Sequence, residues 1–217
     1  MSLDTFIFDF DGTLGDSKKC GIVATQKAFE KIGLNIPDEE KIEYYMGIPI
    51  EKSFRKMSEK ELSEDEFKKL IEIFRELYKS LESKYLKIFP GIKELLDILK
   101  EKKIKCFIVS SKKSEVLERN LELLKIKDYF MEIIGADKVI NHKPNPEGVN
   151  SIIEKYGLDR SNTLMIGDAI FDIKMGKSAY VKTCGVTWGS HSVDMLKNEN
   201  PDFMVDNPLN LIEYIKK

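Results

Sequence analysis

The 217 residues hold 35 Lys and Arg against 37 Asp and Glu, a formal net charge of −2, and 42% of them are hydrophobic. So even a balance gives no footprint for nucleic acid or a charged membrane surface, and the hydrophobic share supports a packed core rather than global disorder. No apolar run approaches the roughly 18–20 residues of a membrane span, so no membrane partner is expected. In chain order, the first element is Thr5 to Phe8, a short apolar run that reads as a buried strand. It leads straight into Asp9-Phe10-Asp11-Gly12-Thr13-Leu14. Alternation along a strand sends Asp9 and Asp11 to the same side, and Gly12 lets the backbone swing away. Two acids held together at a strand's mouth repel unless a cation, a proton or a catalytic task occupies them. A solvated strand end with turn-forming aspartates is the plain alternative.

From Gly15 to Ile88 the pattern reads as helices with no convincing strand. Asp16-Ser17 can cap the first, which ends near Gly33, and Asp38 can cap a second. Gly47-Ile48-Pro49 is a turn, and Ser63-x-x-Glu66 is a capping box for a long helix through about Leu81. Phe89-Pro90-Gly91 ends the stretch, and a helix follows from Ile92 to Leu99. Cys106 to Val109 reads as a strand, Ser114 to Leu124 as a helix and Met131 to Ile134 as a strand. Asn145-Pro146 opens a helix that stops at Gly157. Thr163 to Ile166 is a strand, then a helix runs through Ala179. Lys182 to Val186 and Phe203 to Val205 are strands, and Leu209 to Ile215 a closing helix. Strands with helices between them predict βαβ units and an α/β fold, a Rossmann-like parallel sheet. The expected division is a core of residues 1–14 and 89–217 with an all-helical cap at 15–88. A single mixed domain with a long helical excursion is the alternative.

Parallel sheets bind ligands outside the carboxyl ends of their strands. The first strand ends in Asp9 and Asp11. The strand through Val109 ends in Ser110-Ser111-Lys112, and the one through Ile166 in Gly167-Asp168, with Asp172 a helical turn beyond. Lys143 lies in the loop before the Asn145 helix. Singly, Ser110 or Asp168 reads as a helix cap and Lys143 as a solvated lysine. Jointly they put three acids, a hydroxyl and an ammonium on one rim. Cys20, Cys106 and Cys184 have no CxxC spacing and no basic-then-apolar leader opens the chain, so free thiols in a reducing cytoplasm are expected. With only His142 and His191, a histidine metal cage or a Ser-His-Asp triad is poorly supplied.

These four motifs, in this order, resemble those of the haloacid dehalogenase superfamily of phosphotransferases. The resemblance covers the whole chain and implies a core strand order of 5-4-1-2-3 with a helical cap. It implies an Mg²⁺-dependent phosphatase in which Asp9 attacks phosphorus and becomes an aspartyl phosphate. Mg²⁺ suits oxygen ligands and few carboxylates. Its expected ligands are Asp9, the backbone carbonyl of Asp11 and Asp168, with Asp172 touching or supporting them. Lys143 would hold Asp9 and the phosphoryl group together. Ser110 and the backbone of Ser111 would hold phosphoryl oxygens. Asp11 would protonate the leaving alkoxide, and sharing the rim with anions is expected to favour its protonated form. Its presence favours phosphate over carbon–halogen chemistry. Phe10, Gly12, Thr13 and Gly47 are further candidates for substrate contact, with a purely structural turn role open for Thr13 and Gly47.

The cap loop Met46 to Phe54, Arg75 with Tyr78, and Phe89 to Leu96 resemble the phosphoglycolate phosphatase-like branch, which includes pyrophosphatases and nucleotidases. Arg55, Lys52 and Lys18 could meet an anionic substrate or be solvated helix residues. The expected partner is therefore a small phosphorylated metabolite, with the chain a monomer or homodimer. A β-phosphoglucomutase-like transferase is the enzymatic rival, although Ser110-Ser111-Lys112-Lys113 stands where its arginine segment would be. A non-catalytic phosphate-binding regulator is the rival of another class.

Overall fold

The computed structural model describes residues 3–46 and 48–215. The expected turn residue and substrate contact Gly47 lies outside the described residues. The chain runs β1 (Thr5–Phe8), β2 (Gly15–Asp16), α1 (Lys18–Lys31), α2 (Glu39–Tyr44), α3 (Ile50–Met57), α4 (Glu64–Tyr85) and β3 (Lys87–Ile88). It continues α5 (Ile92–Glu101), β4 (Lys105–Val109), α6 (Ser114–Leu123), β5 (Glu132–Ile134) and α7 (Glu147–Tyr156). It ends with β6 (Thr163–Gly167), α8 (Ile170–Ser178), β7 (Lys182–Val186), α9 (Val193–Asn198) and β8 (Phe203–Val205).

Six strands form one parallel sheet in the order β5-β4-β1-β6-β7-β8. Counted along the core, this is the expected 5-4-1-2-3 order with β8 added outside β7. β1 is central, with Thr5 level with Lys105 on one side and Thr163 on the other. All four of its residues are buried, as suits a parallel strand covered on both faces. Alternation then sorts the side chains. Phe6, Phe8, Cys106, Ile108, Leu164 and Ile166 pack on one face with Leu95, Leu99 and Leu117. Ile7, Phe107, Val109 and Met165 pack on the other with Val149, Ile152 and Met175.

Helices α1 to α4 close over a third cluster, which includes Phe29, Phe54, Leu70 and Phe74. The capping box forms as expected: the Ser63 hydroxyl accepts the Glu66 N–H, and the Glu66 carboxylate accepts the Ser63 N–H at 3.0 Å. Asp38 accepts the Lys41 N–H at 2.7 Å at the start of α2. Asn145 accepts the Glu147 N–H at 3.0 Å at the start of α7.

Four local expectations are corrected. The segment 15–88 does contain strand: β2 and β3 pair antiparallel, Gly15 with Ile88 and Asp16 with Lys87, where the chain leaves and rejoins the sheet. Two-residue strands carry no periodicity to read. α4 runs on to Tyr85. The closing segment Pro208–Tyr214 is a 3₁₀ helix. Ser17 does not cap α1; its hydroxyl donates to the Asp11 carboxylate instead. No helix among the described residues is long and apolar enough to cross a membrane.

Candidate active site

The carboxyl ends of β1, β4 and β6 open on one rim because parallel strands all point the same way. Asp9 follows β1 and is 2% exposed. Its N–H continues the ladder to the Ile166 carbonyl at 2.8 Å. Lys143 reaches in from the loop before α7 and donates to Asp9 Oδ1 at 2.6 Å and Asp172 Oδ1 at 2.7 Å. Asp168 follows β6 and accepts from the Thr13 hydroxyl at 3.0 Å and the Ser190 N–H at 2.7 Å. Asp172 also caps α8, accepting the Ala169 N–H at 3.0 Å.

Gly12 makes room for this. Its φ is +80°, and a Cβ there would stand 2.2 Å from Asp168 Oδ2. Both features demand a residue without a side chain.

Ligand atoms of Asp9, Asp168 and Asp172 lie within 4.8 Å of one another, all buried. Asp9 Oδ2 is buried with no hydrogen-bond partner. Burial pushes the Asp9 carboxyl well above the usual carboxylate range, and the Asp172 and Asp168 charges push it further, against the pull of Lys143. Burial and then Asp172 raise Asp168 to about 7, against the opposing Ser190 and Thr13 hydrogen bonds. For Lys143 burial acts downward, but Asp172 and Asp9 outweigh it and hold the ammonium above its ordinary value. Crowded buried carboxylates with an orphaned oxygen fit a hard divalent cation such as Mg²⁺, which takes oxygen donors.

The Asp11 side chain stands apart from that cluster. Its Oδ1 accepts from Lys112 Nζ at 2.7 Å and from the Ser17 hydroxyl. The expected anionic surroundings are thus corrected: its immediate neighbours are an ammonium and a hydroxyl. This leaves the Asp11 backbone carbonyl, not its carboxylate, as the candidate metal ligand.

Ser110 is buried at the end of β4, where its hydroxyl accepts the Lys112 N–H at 3.2 Å. Ser111 lies beside it on the wall of a cavity that opens at the rim. Two candidate substrate contacts, Phe10 and Thr13, do not line that cavity. The Phe10 ring is fully buried in the sheet core, so its side chain serves packing. Thr13 is also fully buried and spends its hydroxyl on Asp168 and its carbonyl on the Trp188 indole N–H at 3.1 Å.

Sequence reasoning missed a buried polar strap between α4 and α6. Lys112 Nζ also donates to Tyr78 Oη at 2.8 Å and Asn120 Oδ1 at 2.9 Å. Asn120 donates to Glu82 at 2.9 Å, and Arg119 clasps the same carboxylate with two bonds of 2.6 and 3.0 Å. Tyr78 and Glu82 belong to α4, and Arg119 and Asn120 to α6. Lys112 was visible only as the residue two beyond Ser110, and nothing local in the sequence marks Asn120 or Glu82.

The cavity, of about 320 Å³, opens at the rim and is lined there by Asp9, Asp11, Ser110 and Lys112. Arg75 and Tyr78 line it from α4. Lys18 and Arg55 do not reach it: they pair with Glu43 and Glu64, each at 2.8 Å, and Arg55 also lies 3.8 Å over the Phe67 ring. Lys52 is exposed outside it.

Comparison with known proteins agrees with this geometry. The family described as haloacid dehalogenase-like hydrolase matches residues 6–186. The pyrophosphatase PpaX of Oceanobacillus iheyensis is 31% identical over 99% of this chain and 98% of its own. The phosphoglycolate phosphatase of Aquifex aeolicus is 32% identical over 95% of this chain and 94% of its own. A crystal structure from Haemophilus somnus 129pt, described as a predicted phosphoglycolate phosphatase, has a TM-score of 0.90 over 98% of both chains. Its 24% identity makes it evidence for the fold.

Proposed function

The chain belongs to the haloacid dehalogenase-like hydrolases, and from that premise we propose that it is an Mg²⁺-dependent phosphatase working through an aspartyl phosphate on Asp9. One observation carries the reading: Asp9, which lines the cavity, stands buried at the end of the central strand, one oxygen held by Lys143 and the other without a partner.

In this reading a carboxylate oxygen of Asp9 attacks phosphorus as the bond to the leaving oxygen breaks. Asp11 gives that oxygen its proton. Asp11 then takes a proton from a water that attacks phosphorus, and the bond from phosphorus to Asp9 breaks to release phosphate. Lys143 holds Asp9 in place and opposes the charge of the phosphoryl group. The Ser110 hydroxyl and the Ser111 backbone orient phosphoryl oxygens. Mg²⁺, held by Asp9, Asp168 and the Asp11 carbonyl with Asp172 in support, would supply charge neutralisation.

The substrate is a small phosphorylated metabolite. Phosphoglycolate and pyrophosphate are the compounds named for relatives and the first to assay. The proposed division is a catalytic core, 1–14 with 89–217, and a substrate-covering cap, 15–88. The three cysteines are free and buried, which supports a reducing cytoplasm.

The test is Mg²⁺-dependent phosphate release. Asp9→Asn should abolish it with the fold intact, and excess EDTA should abolish it in the wild type. Asp11→Ala should slow esters of poor leaving groups far more than those of good ones. Turnover in Asp9→Asn at the wild-type rate, or a beryllofluoride adduct bound away from Asp9, would refute the nucleophile assignment.

A further inference from the structure

The cavity between cap and rim is too large and too apolar to serve a phosphoryl group alone. At about 320 Å³ it falls in the range of sites that enclose a whole small molecule. Its far walls come from the cap. Tyr45, Met46, Ile48 and Ile50, around the link from α2 to α3, are only half-buried and line it. Val116 of α6 lines it from the core. Phe54 and Phe74, already buried, line it too. Half-buried apolar side chains around an enclosed space leave surface for a ligand to cover.

Four of the five cations on these walls are engaged. Arg75 pairs with Glu51 at 2.7 Å, and Lys113 stands 3.8 Å from the same carboxylate. Lys112 is held by Asp11 at 2.7 Å and Arg119 by Glu82 at 2.6 Å. Lys79 is exposed. Glu51, Glu76 and Glu115 share the wall, so a second anionic group beyond the phosphoryl would meet three carboxylates and, apart from the exposed Lys79, cations already paired.

Resting on the phosphatase reading above, we propose that the preferred substrate is the phosphate monoester of an apolar alcohol, aliphatic or aromatic, rather than a compound with a second anionic group. The phosphoryl end sits on the Asp9 rim, and the body of the leaving group lies against Tyr45, Met46, Ile48, Ile50 and Val116. Specificity follows from the methylenes that this wall covers, each worth roughly ten-fold or more in kcat/KM.

The experiment compares n-hexyl and benzyl phosphate with methyl phosphate, phosphoglycolate and pyrophosphate on the full-length, Mg²⁺-loaded protein. The hexyl, methyl and glycolate leaving groups are all simple alkoxides or hydroxy-acid oxygens, so differences among them weight binding over bond strength. Hexyl and benzyl phosphate should exceed methyl phosphate and phosphoglycolate at least about ten-fold in kcat/KM. Ile48→Asp should lower the hexyl-to-methyl ratio by a similar factor, and Ile48→Leu should keep it. Because the readout is a ratio within one variant, a partial loss of folded protein does not imitate the effect. A preference for phosphoglycolate or pyrophosphate, or an unchanged ratio in Ile48→Asp, overturns this inference and leaves the Asp9 chemistry standing. If the wild type turns over no ester at all, the phosphatase reading falls and takes this one with it.

Discussion

Gly12 and Gly157 both have positive φ, +80° and +59°, yet they should respond differently to a methyl group. A Cβ on Gly157 meets nothing within 4 Å, whereas one on Gly12 would sit 2.2 Å from an Asp168 oxygen. Left-handed backbone costs a non-glycine residue roughly 1–2 kcal/mol. Gly157→Ala should therefore lose about that much stability in urea melts and keep its activity. Gly12→Ala should lose activity as well, because Asp168 must move. Equal effects at both positions would deny that Gly12 is there to admit Asp168. Asp168 itself yields a second prediction. Its carboxyl stands at about 7 against an ordinary 3.8 because burial and Asp172 oppose its charge. A raised acid binds its proton more tightly in the folded state, so its contribution is fully present below about 3.8 and is lost as pH rises through about 7. In EDTA, the thermal midpoint of the wild type should fall between pH 5 and pH 8 relative to Asp168→Asn. Mg²⁺ at pH 8 should restore the wild type and not the variant. Asp9, Asp11 and Asp168 were legible in the sequence because they follow β1 and β6, and parallel strands deliver their ends to one edge. Their mutual spacing and the Thr13 bond to Asp168 were not, since they join residues 155 apart.

Among the elements, α4 and α6 carry the clearest mechanical link between the proposed cap and core. Glu82 is nearly buried, its side chain 8% exposed, and it answers both Arg119 and Asn120. Removing one partner of such a group leaves the others uncompensated, at a cost of about 3 kcal/mol. Glu82→Ala should show that loss in urea unfolding. Glu82→Gln, which keeps one acceptor oxygen, should show less. A loss within error for Glu82→Ala would mean that water already screens the strap. Lys112 extends the strap to Asp11, so the same contacts that dock α4 also fix the proposed proton donor. Helices α4 and α6 were each readable from their apolar spacing, and the Ser63 capping box placed the start of α4. Their polar contact was not readable, because any charged helix face looks solvated until its neighbour is known. Strands β2 and β3 escaped for a different reason: two residues each is too short for alternation to register.

At the scale of the whole molecule, the hydrophobic clusters divide nearly as the proposed domains do, the exception being Leu86, which lies within 15–88 but packs in a sheet cluster. Every buried member of the cap cluster lies between Cys20 and Tyr78. The two sheet clusters take no buried member from that stretch. The chain leaves and returns through β2 and β3, where Asp16 and Lys87 are paired neighbours. A short Gly-Ser linker from Asp16 to Lys87 could therefore replace the cap without stretching the sheet. The excised core should unfold cooperatively, since both faces of β1 keep their cover. It would lose the Tyr78 and Glu82 contacts to Lys112 and Asn120, so its stability should fall below that of the full chain. It would keep Asp9, Lys143, Asp168 and Asp172, but not the cavity walls that exclude water. Methyl phosphate should then be hydrolysed slowly in Mg²⁺, and discrimination among larger esters should vanish. A core that kept the full chain's order of substrates would place selectivity on the rim and contradict the role given to the cap. A core that failed to fold would show that the strap and Val116, which packs against the cap cluster, bind the two parts into one cooperative unit.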